Sequence, residues 1–392
     1  MRRLLFFFSF LLTTSIVAQI PLSDSATISL ITVAPGAELY SIYGHSALRV
    51  RDRSQNLDRC YNYGTFEFDQ PGFIVKFMRG KLLYYVNPEP GRAFERGNLA
   101  DQRSMVEQQL NLNQPQKQAL FSLLQDNIRE ENKFYKYDFF YDNCATRIRD
   151  IVKKPYGDRF IYSSNGTGKS TTMRQLLDPF QRNYAWTDFG IDIILGMPAD
   201  KKASPEDHMF LPEGMMKVFN QTKTPDGTPL VSGVRNIPDT PPSGEVILPY
   251  NRFSKPMFVS LLVFALGLFT MRYPKAERIF NGVFYFVLGI AGLIIFFLWF
   301  LTDHLATKNN LNIFWALPSN LFYFWRNPRA TNVRKYHLFT GCLAVLVLLL
   351  WPFGLQEFPL PALPLVVLIA IKGLWPIIFN RQTAVDSGLS AV

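Results

Sequence analysis

The stretch YDFFYDNCATRIRD, residues 137–150, changes character at Cys144. An aromatic run, KFYKYDFFY, comes before it, and CATRIRDIVKK reads as a helix with Asn143 as its cap. A cysteine in the first helical turn has its thiolate favoured by the positive end of the dipole and by unpaired backbone N–H groups. The chain holds three cysteines, and Cys342 falls in an apolar run where it packs. Cys144 is therefore core filler, a disulfide partner for Cys60, or a nucleophile. The fold follows from the choice: a nucleophile at this position requires the helix to lie across a sheet that brings a base to it.

The surrounding sequence supplies such a sheet. ATISLITV (26–33), SALRVRD (46–52), CYNYGTF (60–66) and KLLYYV (81–86) are rich in β-branched and apolar residues and read as strands. PGFIVKFMRG, opening on Pro71, predicts a short helix, and SMVEQQLNL (104–112) favours a strand. Asn113 with Pro115 behind it starts a helix through QPQKQALFSLLQDNIREE. With no repeating βαβ pattern, the class is α+β. Residues 221–255 carry many prolines and predict an extended tether.

The ends of the chain indicate export and a membrane. MRRLLFFFSFLLTTSIVAQ has a basic start and an apolar run, so residues 1–18 read as a signal peptide. Apolar runs at 257–271, 279–301, 312–325, 337–353 and 359–379 predict a bundle of about five spans within 256–380, followed by a tail at 381–392. Arg272, Lys275 and Arg278 crowd one loop and Arg326, Arg329, Arg334 and Lys335 another, whereas 302–311 holds only Lys308. By the positive-inside rule the basic loops are cytoplasmic and residues 19–220 lie outside the cytoplasm. Much of the net charge of +10 is thus topological. Nucleic acid is excluded as the partner, and an anionic membrane surface fits. SSNGTGKSTTM (163–173) imitates the end of a phosphate-binding loop but has Ser163 where the motif needs glycine. It reads as a polar turn.

Four histidines occur. His45, in YSIYGHSALRV, stands between a turn and a strand and is the candidate base for Cys144. From residues alone, a buried cysteine and a satisfied histidine remain equally admissible.

GHSALRV, YNYGTF, YDNCATRIRD and NYAWTDFGIDIILGMPADKKASPEDHMFLPEGMM (183–216) resemble the exported domain of the Lnb-type lipoprotein N-acyltransferases, over about residues 26–217. LTDHLATKNNLNIFWALP (301–318) is similar to that family's membrane part. The resemblance implies a circularly permuted papain-like domain, histidine preceding cysteine, ahead of an all-α membrane bundle. It implies that Cys144 takes an acyl chain from a membrane phospholipid as a thioester and passes it to the N-terminal amine of a lipoprotein, with His45 moving protons. That places the protein in the inner membrane, multi-pass, with its catalytic domain periplasmic. Thiol chemistry of this kind calls for no cofactor or metal.

Asn62 is the candidate to orient His45, Tyr43 a candidate oxyanion donor, Asn143 a candidate substrate contact, and the first N–H groups after it a further oxyanion site. Arg147 and Arg149 are either phosphate contacts or partners of Asp150 or Asp138. Asp303 and His304, in a polar cluster at the outer membrane edge, are either solvated or face the catalytic domain and help hold a headgroup or the acceptor amine. The rival activities are a cell-wall or peptide amidase using the same pair, and a phospholipase if water takes the thioester. A non-enzymatic envelope binding or assembly protein is the third alternative.

Overall fold

The computed structural model describes residues 21–164, 171–238, 254–324, 326 and 330–388. The signal-peptide segment 1–18, most of the polar turn at 163–173, the stretch 239–253 and the last four residues lie outside them. Among the described residues seven antiparallel strands form one sheet in the order β6-β4-β3-β2-β1-β5-β7. They are β1 (Thr27–Val33), β2 (His45–Asp52), β3 (Leu57–Thr65), β4 (Leu83–Pro90), β5 (Met105–Leu110), β6 (Phe134–Lys136) and β7 (Val231–Ile237). The helices between them are α1 (Phe73–Met78), α2 (Gly91–Ala100), α3 (Gln114–Asn127), α4 (Cys144–Lys153), α5 (Asp178–Gln181), α6 (Ala185–Ile194), α7 (Pro205–His208) and α8 (Pro212–Gln221).

Side-chain alternation gives the sheet two unlike faces. Leu30 faces Leu48, and Ile28, Val50, Tyr61 and Tyr63 join them in the main core beneath α3, α4 and α8. On the other face Ile31, Val33, Ala47, Cys60, Met105 and Ile237 pack with Phe94 of α2. Arg49, 1% exposed, closes this second face with both oxygens of Asp58, at 2.6 and 2.7 Å, and with Glu95 at 2.5 Å. Cys60 and Cys144 therefore occupy opposite faces, and both are free thiols. The disulfide reading is excluded by the parity of β3.

The strand β7 corrects the tether. Its residues pair with β5 from Met105↔Ile237 onward and place Arg235 on Glu107 at 2.7 Å. Prolines flank this segment at Pro229 and Pro238 and leave its interior free to pair.

The helical region contains α9 (Lys255–Thr270), α10 (Pro274–Phe300), α11 (Asn320–Tyr323), α12 (Thr331–Leu350) and α13 (Leu363–Gly388), which runs on into the segment read as a tail. Two segments, Pro274–Phe300 and Thr331–Phe353, are long and apolar enough to cross a membrane; Lys255–Thr270 and Leu360–Trp375 are shorter apolar helices. The stretch 312–325, expected to span, is a 3-10 turn at Leu311–Phe314 and the single turn of α11. Pro318 interrupts it, and its asparagines bond locally: Asn312 Oδ1 accepts from Trp315 Nε1 at 2.9 Å, and Asn320 Oδ1 from Tyr336 Oη at 2.7 Å. Five continuous spans are not seen among the described residues.

Candidate active site

Helix α4 begins where its sequence predicts. Asn143 has extended backbone and its Oδ1 accepts from the N–H groups of Ala145 and Thr146, at 2.8 and 2.9 Å. Thr146 Oγ1 returns the favour to Asn143 N–H at 2.8 Å, completing a capping box. Asn143 Nδ2 donates to the carbonyls of Phe139 and Phe210. Every polar atom of the side chain is thus committed, and the residue is 3% exposed. Asn143 sets the helix in place and has nothing left for substrate, which corrects its expected role as a contact. The oxyanion site changes with it, because two of the proposed N–H donors already serve the cap.

Cys144 lies against the end of β3. Gly64 there has φ +84°, and a Cβ on it would meet Cys144 Cβ at 3.4 Å and Tyr137 at 3.6 Å. A left-handed glycine lets the bulged strand turn beside the thiol. The backbone N–H groups of Ser46, Ala145 and Cys144 itself act on the thiol and favour its charged form. Burial nonetheless raises the thiol to about 11, against the lowering effect of those N–H groups and of Arg103.

Ser46, whose N–H acts on the thiol, follows His45, so the same strand carries the imidazole. His45 Nε2 lies 2.5 Å from Asn62 Oδ1, and Asn62 Nδ2 donates to Glu89 at 3.1 Å. Glu89 fixes which end of the amide faces the ring. Since an amide oxygen only accepts, Nε2 carries the proton and the lone pair is on Nδ1. Burial, seconded by Arg103, pushes the imidazole down to about 4 despite the Asn62 bond. His45 shares its parity with Ala47, on the α2 side, and its ring centroid is 6.5 Å from that of Phe94. Thiol and imidazole sit at the same end of the sheet, with no hydrogen bond between them among the described residues. Proton transfer requires Nδ1 to close on the sulfur, as resting sites often leave to the bound complex.

Tyr43 packs on Phe139 and Phe180, and its hydroxyl accepts from Gln181 at 2.7 Å; burial raises it to about 12. It keeps a proton to donate. Arg147 forms a two-pronged pair with Asp142, at 2.6 and 2.8 Å, and stacks 3.7 Å over Tyr135, so the phosphate alternative loses to an aspartate. Asp303 pairs with Lys136 at 3.0 Å, its N–H donates to Arg79 O at 2.9 Å, and His304 Nε2 is 3.2 Å from Phe77 O. Both therefore tie the helical region to the sheet domain.

Two residues were missed. Arg103 donates through Nε to Ala34 O at 2.9 Å, while its Nη2 is buried with no partner among the described residues. It stands beside Met105, whose strand partner Val33 pairs with His45, so it caps the same sheet end. Nothing in its local sequence marks it; only the strand register does. Tyr137, inside the aromatic run, stacks 4.3 Å from Tyr84 and borders Gly64 beside the thiol.

Residues 18–178 match the Lnb N-terminal periplasmic domain, and residues 249–383 match the Lnb transmembrane domain. No curated protein and no solved structure matches the chain. With both domains present in that order, the chain belongs to the Lnb family and is a lipoprotein N-acyltransferase-like membrane protein with a periplasmic domain.

Proposed function

We propose that the protein moves an acyl chain from a phospholipid to the N-terminal amine of a lipoprotein, with Cys144 as the nucleophile. The observation that carries this is Cys144 in the first turn of α4, packed against the end of β3 at the same end of the sheet as a histidine already oriented by Asn62. The order His45 on β2, Asn62 on β3 and Cys144 on α4 supports a permuted papain-like arrangement. The two spanning helices, the two shorter apolar ones and the arginine-rich loops support a multi-pass protein of the inner membrane, its sheet domain on the periplasmic side.

In the first half-reaction Sγ gives its proton to His45 Nδ1 and forms the S–C bond to the ester carbonyl. For the tetrahedral oxygen the Cys144 N–H, Tyr43 Oη and Arg103 Nη2 are the candidate donors. Collapse breaks the C–O bond, and the proton on His45 leaves with the lysophospholipid. In the second half the amine attacks the thioester, His45 takes its proton, and the C–S bond breaks to return the thiol with an amide as product.

The test is acylation of the full-length protein by radiolabelled phospholipid. A thioester label, hydroxylamine-labile and absent in Cys144→Ser, is expected. Labelling that persists in Cys144→Ser overturns the nucleophile, and a label discharged to free fatty acid when a diacylated lipopeptide is supplied overturns the acceptor.

A further inference from the structure

Between β3 and β4 the chain leaves the sheet as an arm, residues 66–82, that carries α1. Its outward side chains are apolar: Phe68, Ile74, Val75, Phe77 and Met78 are 62, 69, 60, 52 and 46% exposed. Exposed Lys76, Arg79 and Lys81 share it. Water-facing surfaces seldom carry so contiguous a patch without a partner.

Two observations identify what covers it. The arm rests on the chain just beyond α10, through Arg79 O to Asp303 N–H and Phe77 O to His304, and Lys136 of the neighbouring β6 pairs with the same Asp303. Across that contact the apolar surface continues, since Phe300, Leu301 and Leu305 are 54, 55 and 51% exposed. The end of a spanning helix marks where acyl chains give way to headgroups, and basic side chains at that level suit anionic lipid.

We propose that the arm is seated in the bilayer leaflet facing the sheet domain, its Ile74, Val75, Phe77 and Met78 among the acyl chains and its basic residues at the phosphates. The occupant is lipid and not a protein. The root of the arm reaches the thiol through packed rings. Phe73 lies 5.9 Å from Phe66, Phe66 5.1 Å from Tyr84, and Tyr84 4.3 Å from Tyr137, which with Cys144 borders Gly64. Seating the arm therefore holds Cys144 at a set height above the acyl chains. That consequence rests on the acyl-transfer proposal; the seating itself does not.

Full-length protein carrying Cys144→Ser and Cys342→Ser is labelled with an environment-sensitive fluorophore at Ile74→Cys or, on the far edge strand, at Asn236→Cys. It is reconstituted into phosphatidylethanolamine–phosphatidylglycerol vesicles with or without acyl-chain nitroxide lipid. A blue-shifted, strongly quenched signal at 74 and a water-like one at 236 are expected. Water-like, unquenched signals at both positions overturn the seating. In the otherwise unaltered protein, Ile74→Asp with Val75→Asp raises KM for vesicle phospholipid about tenfold and leaves Cys144 acylation by a micelle-dispersed short-chain ester unchanged. An unchanged KM for vesicles overturns the role of the arm in donor access. If neither donor acylates the unaltered protein, the acyl-transfer proposal fails while the quenching still decides the seating.

Discussion

Raising the pH perturbs the resting site most directly. Burial holds the Cys144 thiol at about 11 and the His45 imidazole at about 4. Between those values both groups are neutral, so the site rests as thiol and imidazole and not as an ion pair. At pH 7 the thiolate is a fraction on the order of 10⁻⁴ of the protein. Alkylation follows the thiolate, so its rate at Cys144 rises about tenfold per pH unit, or about 100-fold from pH 7 to 9. An ordinary thiol, titrating at about 8.5, bends over in that interval, and a preformed thiolate–imidazolium pair is flat across it. The assay is timed iodoacetamide treatment of the purified protein carrying Cys342→Ser, with mass spectrometry of the peptide around residues 137–150. Cys60, 1% exposed and pushed up further by burial, falls on a different peptide. A rate that levels off below pH 8 refutes the neutral resting site. It would mean that the N–H groups of Ser46, Ala145 and Cys144, with Arg103, outweigh desolvation.

Three other outcomes follow from the same geometry. Asn62→Ala removes the acceptor that fixes the His45 tautomer, and acyl-enzyme formation falls about 10- to 100-fold with folding preserved, read by single-turnover labelling beside a thermal melt. Arg49→Ala leaves Asp58 and Glu95 without their buried cation and costs about 3–5 kcal/mol by denaturant unfolding, with Arg49→Met costing less. Burial, then the charges of Asp192, Glu357 and Asp188, lifts Asp178 to about 7 from an ordinary 3.8. A folded pKa above the unfolded one means the folded state binds the extra proton, so stability is lost as pH rises from about 4 to 7. Asp178→Asn then stabilises at pH 8 by on the order of 1–3 kcal/mol and changes little at pH 4, measured by paired melts.

What the sequence makes legible is local. The caps at Asn113 and Asn143 can be read because capping is decided within four residues, and both form their boxes. The strands β1 to β4 declare themselves by composition, and β5 only weakly, because SMVEQQLNL leans toward a strand without excluding a helix. The helix α2 does not, since GRAFERGNLA has a polar surface and one deep anchor, Phe94. The three residues of β6 give no periodicity to detect, and the prolines around β7 hide a strand that only the free edge of β5 explains. Partner choice is equally invisible: Arg147 faces several aspartates in sequence, and helix geometry selects Asp142. The pairing of His45 with Asn62 could be guessed from adjacent strands. That His45 has the wrong parity to bond the thiol at rest needed the register.

The polar cluster at the membrane edge admitted two meanings, solvation or a site that faces the catalytic domain and holds a headgroup or the acceptor amine; it does face the sheet domain, and its atoms serve that contact. Asn310 Nδ2 and Asn312 Nδ2 donate to the Ile193 carbonyl at 2.8 and 3.0 Å, where α6 ends. Gly196 N–H donates to Ala306 O at 2.9 Å, and a Cβ on Gly196 would lie 2.9 Å from the Lys308 carbonyl carbon, so only glycine permits this approach. These side chains pair backbone groups that docking would otherwise strand. Together with the Asp303 and His304 contacts, they fasten the sheet domain to the helical region at two separate places. The two domains are therefore joined by a built interface as well as by the connecting chain, and the height of Cys144 over the membrane is a property of the fold. On the proposed chemistry this decides which partner moves. The thiol stays put, and the donor ester must rise to it along the arm.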